Sequence, residues 1–132
     1  MGNKFLLSTL ATFLILFVLD FVWYGNLMSN FYPTDGMRAS PIWLYLSVGY
    51  LIFSLLFSYI YPKGVEGINK TIQGLRFGIL IGLLIGLPFA FIEHSLSLAP
   101  VLEIGLVDAI YLAVKFGIAG VVVANIYGIP GN

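Results

Sequence analysis

The sequence predicts an all-α membrane protein, a bundle of four transmembrane helices whose third helix is rich in glycine. Three observations support this fold class. The 132 residues are 60% hydrophobic and 9% charged, with a mean hydropathy of +1.01, which is far more apolar than an ordinary soluble domain. Four apolar runs are each long enough, at about 20 residues, to cross a bilayer. Small residues recur at every fourth position of one run, as in helices that pack closely in lipid. We therefore expect a single transmembrane domain over residues 1–132.

The four predicted spans cover residues 5–27, 42–61, 74–92 and 102–127. The first follows a single lysine and continues for about 23 residues without a small-residue cleavage site, so we expect it to remain as a span and not to be a signal peptide. Pro62 ends the second span. The segment 63–74 is predicted to be an aqueous loop, and Pro88 is expected to kink the third span.

Small residues mark one face of the third span and one face of the fourth. Residues four apart lie on the same side of a helix, and the GxxxG pattern lets a second helix approach closely. The predicted packing residues of the third span are Gly74, Gly78, Gly82, Gly86 and Ala90. The small face of the fourth span is expected to meet the third span or a second copy in a homodimer, and consists of Ala109, Ala113, Gly117, Gly120 and Ala124.

Basic residues near the spans predict the orientation. Lys4, Lys63, Lys70 and Arg76 lie on one side of a four-span topology, and Arg38 lies on the other. By the positive-inside rule both termini are then cytoplasmic. The predicted location is the inner (cytoplasmic) membrane, where the chain is multi-pass and contacts membrane lipids.

Composition also excludes several classes of function. The chain has no cysteine, so disulfides, thiolate metal sites and iron–sulfur clusters are excluded. Its formal net charge is zero and it has no basic run, so no nucleic-acid partner is expected.

Several positions resemble a group of known proteins. The segment LDFVWYGNLMSNFYP at the end of the first span, the GLRFG segment of the third span and an aspartate early in the fourth span are similar to small bacterial four-helix integral membrane protein families of unknown function. The resemblance implies this fold and membership of such a family, but no chemistry, because those families have no assigned activity. The positions that carry it are Leu19, Asp20, Trp23, Gly25, Tyr32, Gly78 and Asp108.

Three ionisable residues fall inside the predicted spans, namely Asp20, Asp108 and Lys115. Inserting each of these residues into a membrane costs roughly 2.5–3.5 kcal/mol on insertion scales, so we expect each to have a structural or functional role. The two aspartates are expected at similar depth. Asp108, Tyr111 and Lys115 share one face of the fourth span, and Lys115 is predicted to lean toward Asp108, directly or through water or a tyrosine. These ionisable residues have three possible roles: a structural ion pair, a proton or substrate relay or a water-exposed interface.

Hydroxyl groups form a stripe along the second span. Turned inward, the stripe would line a hydrophilic path through the bilayer, whereas the alternative is that its hydroxyls serve only to hold helices together. Its members are Ser47, Tyr50, Ser54, Ser58 and Tyr61.

Glu93 and His94 stand together at the predicted outer end of the third span. His94 is the only histidine, and an interfacial, solvent-accessible position is expected for it. Haem or pigment ligation through His94 and a pH-sensing role are alternatives. The prediction is that the protein has no cofactor and no metal site.

These residues predict a small membrane protein that transports or binds a solute or ion, and not an enzyme. Its polar centre would lie in the outer half of the bundle, with Glu93 and His94 near its outer mouth, and the candidate binding or relay residues are Asp20, Asp108, Lys115, Tyr111, Glu93, His94 and Tyr50. The second hypothesis is a non-catalytic accessory subunit of a larger membrane complex, whose glycine faces would be docking surfaces. A lipid or redox enzyme is the third. An intramembrane aspartyl protease is disfavoured, because Asp108 lies in GLVDA and lacks the sequence context of such enzymes.

Overall fold

A computed structural model describes residues 2–27, 41–64 and 69–128. Within these ranges the chain is helical and has no strands. Helix α1 is Gly2–Val22 and continues as a π-helical turn, Trp23–Leu27; α2 is Trp43–Ile60, followed by a 3-10 turn, Tyr61–Gly64; α3 is Lys70–Leu96; and α4 is Leu102–Tyr127. All four helices are long and apolar enough to cross a membrane. The predicted all-helical fold with four candidate spans is therefore confirmed.

The third helix differs most from its predicted limits. It begins at Lys70, inside the segment predicted to be a loop, because Asn69 caps it: the Asn69 side-chain oxygen accepts a hydrogen bond from the Ile72 backbone N–H at 3.1 Å. Asparagine is among the best N-cap residues, since its side chain satisfies an N–H group that the helix leaves unpaired. The helix also continues through Pro88 to Leu96 as one element.

Helices that follow one another in the chain run antiparallel, whereas α2 and α4 both end at the same end of the bundle. At one end of the bundle the Lys4 Nζ of α1 donates to the Tyr127 carbonyl at the end of α4, at 3.1 Å. The Tyr127 hydroxyl in turn donates to the Ser58 carbonyl near the end of α2, at 2.8 Å. We call this the terminal end, because α1 begins and α4 ends there. We call the opposite end, where α1 ends and α2 begins, the far end.

Helices α3 and α4 pack backbone against backbone. The buried residues of α3 are Gly74, Gly78, Gly82, Gly86 and Ala90. A Cβ on Gly82 would lie 2.5 Å from the Leu112 carbonyl oxygen, and one on Gly86 would lie 2.7 Å from the Cα of Ala109. Real Cβ atoms do not approach other atoms so closely, so these positions accept only glycine at the observed separation.

The small face of α4 is therefore covered by α3 of the same chain. Ala109, Gly117, Gly120 and Ala124 are buried, and Gly120 lies against Gly74. The glycines of α3 thus occupy the face of α4 that was expected to meet either the third span or a second copy, and the homodimer stays a prediction.

The buried face of α1 is more polar than its exposed face. In α1 the buried residues are Ser8, Thr9, Thr12, Leu16 and Asp20, while leucine, valine and phenylalanine side chains on the opposite side are exposed. This arrangement is the reverse of a soluble protein and suits a lipid environment, where apolar groups face hydrocarbon and polar groups need partners inside. The apolar core is formed by Leu16, Phe57, Tyr61, Phe116, Ala119, Val123 and Ala124.

Burial identifies α4 as the central helix. Of its apolar stretch 50% is buried, against 17% for α2. Aromatic rings make the contacts of α2 with α3 and α4: the Phe53 and Phe116 rings stack at 4.6 Å, and Phe57 lies 5.0 Å from Phe77.

Candidate functional site

Asp20 is the centre of a buried polar cluster. It follows Leu16 on the inward face of α1 and is 8% exposed. Its Oδ1 accepts hydrogen bonds from the Tyr111 hydroxyl at 2.7 Å and from the Lys115 Nζ at 2.9 Å. Its Oδ2 accepts from the Tyr50 hydroxyl at 2.6 Å. Because the donors belong to α2 and α4, this one carboxylate joins three helices. We call Asp20, Tyr50, Tyr111 and Lys115 the ionic centre.

Lys115 is as deeply enclosed as its partner. It is 5% exposed, and its Nζ lies 4.8 Å from the centroid of the Phe116 ring and 5.2 Å from that of the Tyr111 ring. Cation–π attraction to these rings adds to the ion pair and is stronger where water is excluded. The buried ammonium is therefore compensated by one carboxylate and two aromatic faces.

The partner of Lys115 differs from the predicted one. The ion pair joins Lys115 to Asp20 of α1, whereas the sequence favoured Asp108 of the same helix. Asp108 and Lys115 are seven residues apart, which is roughly 10 Å along a helix axis at 1.5 Å per residue. Asp20 lies nearer because α1 packs against α4 at the level of Tyr111. Helical periodicity identified the correct face of α4 but had no information about the helix opposite.

The second aspartate, Asp108, contacts α1 about one turn from Asp20, and the expected similar depth of the two carboxylates stays a prediction. The Tyr24 hydroxyl donates to Asp108 Oδ1. Tyr24 is one turn beyond Asp20 on α1, and Asp108 is about one turn before Tyr111 on α4, so this contact forms a separate layer nearer the far end. We call Trp23, Tyr24 and Asp108 the far layer.

The far layer contacts the ionic centre through aromatic rings. The Trp23 indole stacks on the Tyr111 ring at 4.4 Å with an interplanar angle of 3°, and the Tyr24 ring meets Tyr111 edge-on at 5.6 Å. Trp23 and Tyr24 begin the π-helical turn, a rare backbone form that is frequent at functional sites. The Asn26 side chain supports this turn by donating to the Phe21 carbonyl at 3.1 Å.

Trp23 and Tyr24 are not among the candidate binding or relay residues that the sequence predicted. A signal for their inward role was present, since they follow Asp20 by three and four residues and so share its face of the helix.

The hydroxyl stripe of α2 faces the interior only in part. Ser54 and Ser58 are fully buried, and the Ser54 hydroxyl donates to the Tyr50 carbonyl at 2.7 Å. Ser47, by contrast, lines an apolar groove on the surface between α1 and α2. The inward stripe therefore begins at Tyr50 and continues toward the terminal end.

Glu93 and His94 lie exposed near the end of α3. The His94 Nδ1 accepts a hydrogen bond from the Val101 backbone N–H at 3.3 Å, which helps to close the connection between α3 and α4. In the ranges that the structure describes, no group of three or more His, Asp and Glu side chains is arranged to hold a metal ion. The absence of a cofactor, with haem or pigment ligation by His94 as the alternative, stays a prediction.

Fold and site together define a class: an all-helical protein whose four helices are long and apolar enough to cross a membrane, with an ion pair enclosed among three of them. Comparison of the chain with protein-family models, with curated proteins and with solved structures found no match. Its function is therefore argued from the geometry of the site.

Proposed function

We propose that this chain is a membrane protein that binds or transports a small solute or ion, with the ionic centre as its binding site. The observation that carries the proposal is the Asp20 carboxylate, which is 8% exposed yet receives three hydrogen bonds from two other helices. Ionisable residues inside membrane spans are costly and usually serve a function.

A purely structural role explains the ion pair less well. Removing two charges from water costs several kcal/mol per ion, and apolar residues of similar volume often hold a structure together as well or better. Helices α3 and α4 already pack closely without charged groups, through the glycines of α3. The chain thus carries an expensive feature that the association of α3 with α4 does not require.

The ionic centre contains groups that could bind either a cation or an anion. A cation competes with the Lys115 ammonium for Asp20 Oδ1, and an anion competes with Asp20 for that ammonium. The tyrosine hydroxyls of Tyr50 and Tyr111 keep the carboxylate solvated during such an exchange, since a buried charge without hydrogen bonds is strongly destabilised. Asp108 in the far layer provides a second polar position between the centre and the far end.

The proposed orientation places both termini in the cytoplasm of a bacterial cell, with the chain in the inner membrane. Lys4 and Lys63 lie at the terminal end, and Lys70 begins α3 at that end. This charge distribution supports a cytoplasmic terminal end by the positive-inside rule. Arg38, the opposing residue in that argument, lies outside the described residues. We likewise propose membership of the small bacterial four-helix families of unknown function, on the resemblance given above.

The fluorescence of Trp23 provides a test, because its indole stacks on a ring of the ionic centre. The chain has two tryptophans, so a Trp43→Phe variant reports on Trp23 alone. This variant, in lipid nanodiscs, is titrated with sodium, methylammonium and acetate, which are simple members of three solute classes. We expect a saturable change in emission for at least one probe, and uptake of that probe by proteoliposomes.

Two further variants make the test specific. Asp20→Asn combined with Lys115→Met removes both charges and should abolish the response while the protein still folds. Glu103→Gln, which neutralises an exposed carboxylate in the first turn of α4, should leave the response unchanged. An equal emission response in the double variant and in the parent would contradict the proposal. A protein that responds to no probe and purifies only within a stable complex of other subunits would also contradict it, and would favour the accessory-subunit hypothesis.

A further inference from the structure

Two rows of hydroxyl groups lead from the terminal end to Asp20. On α1, Ser8, Thr12, Leu16 and Asp20 repeat at every fourth position, and all four are buried. On α2, the buried Ser58 and Ser54 precede Tyr50 at the same spacing, and the Tyr50 hydroxyl donates to Asp20. We call these two rows, with the neighbouring Thr9, the hydroxyl seam.

Most hydroxyls of the seam have no hydrogen-bond partner. The unpartnered oxygens are Ser8 Oγ, Thr9 Oγ1, Thr12 Oγ1 and Ser58 Oγ. Ser8, Thr12 and Ser58 are 0% exposed. A buried hydroxyl without a partner is destabilising, and in proteins such groups are normally satisfied by another residue or by water. Four of them in one region, all between the terminal end and a buried carboxylate, point to water as the missing partner.

A small movement of α2 would admit this water. This helix is the least buried of the four, and aromatic side chains make its contacts with α3 and α4. Close backbone packing, by contrast, fixes α3 to α4. A small separation of α2 from α1 exposes the seam without disturbing the α3–α4 pair. Leu16, 2% exposed, interrupts the hydroxyl row of α1, so Ser54 and Tyr50 of α2 complete the route past it.

We infer that the hydroxyl seam admits water from the terminal end and gives a proton access to Asp20 from that side. A hydronium ion at the terminal end transfers its proton to the first water in the seam, and each water then transfers a proton to the next. The last water protonates the Tyr50 hydroxyl as this hydroxyl gives its own proton to Asp20 Oδ2. One water replaces the hydronium, Tyr50 is restored, and Asp20 becomes a neutral acid, without electron transfer. The inference names a proton as the ion and rests on the proposed function only in taking Asp20 as the functional carboxylate.

Silver ion tests the entry of water, because it is small, travels through water and reacts with thiolates. The natural chain has no cysteine, so single-cysteine variants report one site each. Thr12→Cys and Ser58→Cys probe the seam, and Ser8→Cys replaces either variant that fails to fold. Leu14→Cys is the control for a lipid-facing position on α1, and Ala119→Cys is the control for a buried apolar position.

The variants are exposed to silver in chloride-free buffer in nanodiscs, desalted, unfolded and labelled with a fluorescent maleimide. We expect the two seam variants to lose labelling at least tenfold faster than both controls. Seam cysteines that react no faster than the Ala119→Cys control would overturn the inference.

Proton flux tests the connection to Asp20. Proteoliposomes loaded with a pH-sensitive dye are driven by a potassium diffusion potential. Wild type should pass protons several-fold faster than a variant carrying both Thr12→Val and Ser58→Ala, while Leu14→Val should match wild type. Equal flux in wild type and the double variant, or wild-type flux no greater than that of protein-free vesicles, would overturn the proton route.

Rapid silver reaction and proton flux without any solute response from Trp23 would uphold the seam and reject the solute-binding function instead.

Discussion

Asp20 shows how one residue can hold a charge among apolar helices. Its two oxygens have three donors, the Tyr50 hydroxyl, the Tyr111 hydroxyl and the Lys115 ammonium. Charge-assisted hydrogen bonds are roughly twice as strong as neutral ones, and each of these replaces water that the carboxylate lost on burial. The free energy of the site depends on all of these partners being present together.

Removing one charge of the ion pair should be worse than removing both. Asp20→Asn leaves the Lys115 ammonium buried without a counter-charge, and we expect a loss of about 3–5 kcal/mol of stability. Adding Lys115→Met should recover much of that loss, since no unpaired charge remains. Unfolding by denaturant in detergent measures both changes. As the control, Asp108→Asn with Lys115→Met should show no such recovery, and recovery there instead would restore the Asp108 pairing predicted from sequence.

The tyrosine hydroxyls should contribute separately from the charges. Tyr50→Phe and Tyr111→Phe each remove one donor to Asp20, and we expect each to lower the free energy of unfolding by about 1–3 kcal/mol. Tyr45→Phe is the matched control, because this tyrosine is exposed on the same helix as Tyr50 and should change stability by less than about 0.5 kcal/mol. Equal effects at Tyr45 and Tyr50 would show that the Tyr50 hydroxyl contributes nothing to the site.

At the scale of elements, the α3–α4 pair is the rigid part of the bundle. A glycine stripe is expensive in an isolated helix, but here it brings two backbones so close that no Cβ fits at Gly74, Gly78, Gly82 or Gly86. Dispersion contacts over this length replace the hydrophobic effect, which does not drive helices together in lipid.

Replacing a glycine by alanine at the α3–α4 interface should therefore have the opposite effect on stability to the same replacement on a lipid-facing surface. A Cβ on Gly78 would overlap the Phe116 carbonyl, so Gly78→Ala should destabilise by about 1–3 kcal/mol through overpacking. A Cβ on Gly49 of α2 meets nothing within 4 Å, so Gly49→Ala should stabilise by up to about 1 kcal/mol through helix propensity. Resistance to unfolding by SDS compares the two, and effects of the same sign would contradict the packing described here.

The sequence predicted elements better than it predicted contacts between them. Hydropathy and four-residue spacing are local properties, and they located the four helices and the glycine stripe that lies against α4. Two further local signals are present in the sequence: Asn69 marks the start of α3, and the spacing of Trp23 and Tyr24 from Asp20 places them on its face of α1. The predictions above did not use either signal. The pairing of Asp20 with Lys115 was not accessible, because it depends on which helices are neighbours, and four amphiphilic helices can pack in several arrangements with similar burial.

For the whole molecule, the helices define two ends, and four membrane-spanning helices would place these ends on opposite sides of a membrane. Gly64, after α2, lies at the terminal end, and Leu98, between α3 and α4, lies at the far end. Cysteines placed singly at these positions should react with a membrane-impermeant maleimide from opposite sides in intact cells, and we expect Leu98→Cys to react from outside by the positive-inside rule. Labelling of Gly64→Cys alone from outside would reverse the orientation, and labelling of both variants from one side would exclude the four-span topology.

The distance in sequence between Asp20 and Lys115 also has a consequence for biosynthesis. The two residues are 95 positions apart, and α4, which carries Lys115, leaves the ribosome after the three helices that precede it. At roughly 5–20 residues per second, Asp20 waits about 5–20 s for its counter-charge. During that interval α1 must either stay beside the insertion machinery or enter lipid with its aspartate protonated. Newly made chains arrested before Lys115 should accordingly remain crosslinkable to the translocon through α1, and be released from it once α4 has emerged.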